Sequence, residues 1–144
     1  MNFKECIAQK MLIDLGRTDC DEAKELLALA EHKLLFWKEV NDKAISYPSL
    51  FIEGHYEIIK ELATAVLAID GWRSENHDCV FQYLLEKKNI EIDALYITDL
   101  RKLRNKIDYH GTKVSFATWK QNELQLNLII AALREYLGGR LGVC

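Results

Sequence analysis

Between positions 101 and 113 the chain gathers the residue types that phosphate chemistry uses. Arg101-Lys102-Leu103-Arg104-Asn105-Lys106-Ile107-Asp108-Tyr109-His110-Gly111 sets four basic side chains before one histidine, and Lys113 follows just beyond. Arginine matches phosphate oxygens with two parallel hydrogen bonds, and histidine is the side chain best suited to pass protons near neutral pH. Arg101, Lys102, Lys106 and Lys113 are then candidate contacts to RNA or phosphate, around Arg104 and His110. In helical register Arg101, Arg104 and Asp108 share one face. The simpler reading is a solvated basic face in which Arg104 pairs with Asp108 one turn on, and residue types alone favour it.

The remaining polar residues offer less. His55 sits among apolar helix residues and reads as a partly buried, hydrogen-bonded core histidine rather than a ligand. His77 follows Asn76 at a helix start and reads as a capping or turn residue, and His32 lies on a charged face between Glu31 and Lys33. No two histidines have metal-ligand spacing with a carboxylate between them, so no metal site is expected. Of Trp37, Trp72 and Trp119, all of them candidates for core or interface, Trp72 beside Gly71 is the one expected to be exposed enough to stack on a base.

The chain has 144 residues, which suits one domain over positions 1–144. Its 19 basic and 22 acidic residues leave a net charge of −3, against the basic excess of proteins that coat nucleic acid non-specifically. Cys6, Cys20, Cys79 and Cys144 form no C-x-x-C pair, so reduced thiols in a cytoplasmic protein are expected. Neither a signal peptide nor an apolar run of membrane-spanning length is visible, and no membrane association is expected.

The elements that must position these residues are helices. A first helix is expected from Met1 to about Leu15, stopped by Gly16. Thr18 or Asp19 caps a second, long helix with Ala23, Leu27, Ala30, Leu34 and Trp37 on one face, ending at Asn41-Asp42-Lys43. Pro48 opens a third, whose two apolar rows (Ile52, Tyr56, Ile59, Ala63, Val66 and Ile58, Leu62, Ala65, Ile69) mark it as central. Ser74 or Asn76 caps a fourth helix from about His77 to Lys88, and Asp93 a fifth that ends at Gly111. A sixth runs from about Ser115 to Leu137 and stops at Gly138-Gly139. With no strand-like alternation, the expected fold is all-α, an antiparallel bundle of about five to six helices.

The string from Arg104 to His110 resembles the signature of the HEPN family, an arginine followed by a polar residue and, four to six positions on, a histidine. Gly54-His55-Tyr56-Glu57, through Ile69-Asp70-Gly71-Trp72 to Ser74-Glu75-Asn76-His77, also resembles that family's middle helices and the turn between them. The resemblance runs from about Asp21 to Leu137. It implies a HEPN-like bundle acting as a metal-independent endoribonuclease without cofactor, in a homodimer whose arginines and histidines face one cleft. It further implies the toxin of a toxin–antitoxin pair, with a small nucleotidyltransferase-like antitoxin as partner. Arg104 would neutralise the scissile phosphate of RNA, His110 would act as general acid or base, and Asn105 would orient the histidine or the phosphate. The ribose 2′-hydroxyl would attack and leave a cyclic phosphate. Two departures point elsewhere: Thr112 stands where some members carry a modified tyrosine, and Asp108-Tyr109 matches members that lack the histidine. Those members are non-catalytic modules that bind a nucleotide or a nucleotidyltransferase.

Overall fold

Apolar side chains on two adjoining rows need neighbours on two sides, and α3 (Pro48–Asp70) has them. Its buried residues run from Phe51 to Ile69 around nearly the whole helix. In the computed structural model, which describes residues 1–87, 89–142 and 144, α2 (Cys20–Glu39) and α6 (Phe116–Leu141) pack along α3. The shorter α4 (His77–Glu86) and α5 (Ala94–His110) close the rest of it. The fold is an all-α helical bundle, with six helices among the described residues.

The helix ends follow side-chain chemistry. Asp19 Oδ1 accepts from the Glu22 amide, Asn76 Oδ1 from that of Cys79, and Ser115 Oγ from that of Thr118, each satisfying a first-turn N–H. Pro48 occupies the first turn of α3. Gly71 ends that helix at φ +85°, and a Cβ there would also lie 2.9 Å from the Arg17 carbonyl oxygen, so the position excludes side chains twice over.

Three elements differ from the sequence expectation. The first helix, α1, covers only Phe3–Ala8, and Lys10 turns the chain at φ +59°. The chain then extends as β1 (Ile13–Asp14), paired antiparallel with β2 (Trp72–Arg73). Bonds from the Leu15 amide to Gly71 O and from the Asp19 amide to Ala68 O hold this segment on the end of α3. Its backbone partners therefore come from residues far along the chain, which local helical periodicity does not register. Second, α6 continues through Gly138-Gly139 to Leu141. A glycine costs a helix only about 1 kcal/mol, and Arg140 beyond the pair bonds to Asp70. Third, α4 ends at Glu86, and its expected end at Lys88 lies outside the described residues.

The cysteines differ too. Cys6 is bonded to Cys79 and Cys20 to Cys144, pairs separated by 73 and 124 positions in sequence. Folding brings their Cα atoms to 5.7 and 6.1 Å, inside disulfide range, whereas the expectation of reduced thiols weighed only short-range spacing. Among the described residues no helix is long and apolar enough to cross a membrane.

Candidate functional site

Helix α5 carries the basic segment. Asp93 caps it by accepting from the Leu95 and Tyr96 amides at 3.0 and 3.2 Å, and Ile97, Leu100 and Ile107 are its buried seat. Gly111 terminates it at φ +63°, directly after His110. The seat turns Arg101 and Arg104 toward α3 and α4: Arg101 pairs with Asp78 of α4, and Arg104 with Glu57 of α3 as well as with Asp108 of its own helix.

Arg104 is held firmly, with its side chain 16% exposed. Its Nε donates to Asp108 Oδ2 at 2.8 Å, the i, i+4 pair expected of a helix face. The guanidinium lies 5.2 Å from the Tyr56 ring centre and 5.8 Å from that of Tyr109. Burial works against its charge, but Asp108, Tyr109 and Tyr56 outweigh that and raise its pKa above the ordinary arginine value. The terminal amino edge is engaged weakly, at 3.5 Å from Asn105 Oδ1 and 3.7 Å from Glu57 Oε1. A guanidinium offers five N–H donors, so an anchored Nε leaves the outer edge for a ligand.

That edge opens on a cleft of about 340 Å³ between the start of α4 and the flank of α5. Arg101, Arg104, Asn105 and Tyr109 form one wall, Asn76, His77 and Asp78 another, and Tyr56 lies between them. Burial, with Lys60 and Arg104 next, lowers the pKa of His77, which favours a neutral imidazole. Behind Asp108, burial and then Asp108 itself raise the pKa of Glu53.

Of the residues singled out from the sequence, the structure gathers Arg101, Arg104 and Asn105 on this cleft. Lys102, Lys106 and Lys113 are exposed and do not line it. His110 is also exposed and absent from the walls. The reason is helical geometry: at about 100° per residue, the cleft-lining positions of α5 span roughly 140°, and position 110 falls on the opposite side. The cleft histidine is His77, which the sequence marks only as part of a turn. Tyr109, 72% exposed, and Tyr56, buried beneath Arg104, complete the site unforeseen.

Elsewhere, His55 is a core histidine as expected, its Nδ1 2.7 Å from the Phe51 carbonyl oxygen. Trp119 is buried, and Trp72 is half-buried against Phe3 and Tyr83 instead of standing clear as a stacking platform. Among the described residues no three His, Cys, Asp or Glu side chains are grouped to hold a metal ion. No protein-family model, curated protein or solved structure matches the chain.

Proposed function

We propose that this chain is a HEPN-like binding module whose α4–α5 cleft takes the phosphate of a nucleotide, without cutting it. The observation that carries this is the anchoring of Arg104: Asp108 fixes Nε, and the outer guanidinium edge faces the cleft beside Asn105 and His77. Phosphate would accept two parallel N–H bonds from that edge, and Tyr109 supplies an aromatic face beside it. Glu57, Asp78 and Glu75 keep the surroundings from being strongly basic, which suits one compact phosphate better than a long polyanion. The Asp108-Tyr109 pair then matters as the device that clamps Arg104, in keeping with the non-catalytic members that the sequence resembles.

A second reading, the metal-independent endoribonuclease acting as a toxin, draws on the exposure of His110 at the end of α5. There it is open to the same region of a second copy. A homodimer belongs to both readings, and the exposed apolar side chains Leu35, Phe36, Tyr47 and Leu50 offer it a face. A nucleotidyltransferase-like partner remains a proposal resting on the resemblance alone. The two disulfides weigh against the cytoplasmic location expected from the sequence, since reducing compartments keep thiols reduced.

Incubating the protein with a mixed RNA pool in excess chelator separates the two readings. An RNA pool left uncut by the wild-type protein is the expected result. Cleavage that leaves cyclic phosphate ends and disappears in His110→Ala would replace this reading with the nuclease.

A further inference from the structure

A second cavity lies on the other side of the molecule, between α2 and α6 over the first half of α3, with a volume of about 410 Å³. At its floor is His55, only 6% exposed. Because the Phe51 carbonyl can only accept, the 2.7 Å contact fixes the ring proton on Nδ1 and leaves the Nε2 lone pair unprotonated. Burial lowers the pKa of the ring, against smaller pulls from the Phe51 carbonyl and Glu123, and favours its neutral form. Nε2 has no hydrogen-bond partner among the described residues, yet it is not one of the fully enclosed polar atoms. It is an acceptor held toward the cavity, where a ligand carrying an N–H can reach it.

The walls around it are aromatic and fixed. Trp37 lies 5.9 Å and Trp119 4.8 Å from the His55 ring, centre to centre. Trp37 is seated by the absence of a side chain at Gly54, where a Cβ would stand 2.1 Å from the indole. On the rim, Asn41 and Asn127 offer amides that donate and accept. Of the charged residues around it, Glu123 pairs with Lys120 at 2.6 Å and Arg134 with Glu31 at 3.3 Å, while Lys38 has no ion-pair partner among the described residues. An aromatic wall, one oriented acceptor and two amides describe a site for a flat ligand with hydrogen-bonding groups on its edge.

We propose that this groove binds a planar nitrogen heterocycle of one or two rings, which donates an N–H to His55 Nε2 and lays its face against Trp37. The amides of Asn41 and Asn127 would meet its polar edge. The site is separate from the Arg104 cleft and does not depend on what that cleft binds.

Benzimidazole and 1-methylbenzimidazole are suitable probes, because they differ in the one N–H that the proposal uses. Titrating each into the protein, with the His55 ring nitrogens followed by NMR and the tryptophans by fluorescence, should show saturable benzimidazole binding that shifts Nε2 and quenches emission. The methylated probe should bind about tenfold more weakly, the value of one matched hydrogen bond. His55→Phe should lose that discrimination, while Arg104→Ala should leave it unchanged. No saturable shift at His55 with benzimidazole, or equal affinity for the two probes, would overturn the proposal. Both readings use the wild-type protein, so they hold even if His55→Phe does not fold.

Discussion

The molecule uses arginine, tyrosine and carboxylate together in two places, with opposite results. Around Asp70, whose side chain is 4% exposed, every acceptor is taken: Tyr83 donates at 2.7 Å, Tyr136 and Arg140 each at 2.5 Å, and Lys87 pairs at 3.1 Å. The cluster ties the end of α3 to α4 and α6. Around Arg104 the same residue types stop short of closure: Asp108 takes Nε, the outer edge finds only long contacts, and Tyr109 stands in solvent. A saturated cluster fixes helices and has nothing left to offer. The half-saturated one holds a donor edge in place for something else, so satisfaction of donors, and not residue type, separates staple from site.

Substitutions can break that comparison. Asp70→Ala strips a buried hub from two cations and two phenols, and should cost about 3–5 kcal/mol in urea unfolding. Tyr136→Phe removes one hydrogen bond to the carboxylate and should cost about 1.5–3 kcal/mol in the same measurement. In the open cluster Asp108→Asn should cost about 1 kcal/mol or less, as partly exposed ion pairs do. A loss there as large as for Asp70→Ala would make Arg104 a second staple and remove the reason to regard its cleft as a site.

The smallest effect concerns pH. Glu53 has a raised pKa, from burial and then Asp108, so between its ordinary and its raised value the folded chain binds more protons than the unfolded one. Stability should therefore fall as pH rises through that window, starting from the ordinary glutamate value of about 4.3. Melting temperatures across the window should show this slope in the wild type and a flatter one in Glu53→Gln.

The scaffold was legible where its causes are local. The two apolar rows of α3, the caps Asp19, Asn76 and Asp93, the stop at Gly111, and the Arg104–Asp108 pair each need only a few neighbouring residues. What escaped depends on distant residues: the pairing of Ile13–Asp14 with Trp72–Arg73, both disulfides, and Arg140 carrying α6 past two glycines to reach Asp70. The site divides in the same way. Arg101, Arg104 and Asn105 share one helix and could be read, whereas His77 and Tyr56 join them only through packing of other helices. The separation of His110 from that face was available from helical periodicity alone.

The most direct test is a titration of adenosine 5′-monophosphate against the wild type and Arg104→Ala, with adenosine as the control lacking phosphate. Saturable binding of the nucleotide that shifts the Asn105 and Tyr109 resonances, is lost in Arg104→Ala and is much weaker for adenosine is the expected result. Equal binding of nucleotide and nucleoside, or nucleotide affinity unchanged in Arg104→Ala, would contradict the claim that the clamped arginine edge is a phosphate site.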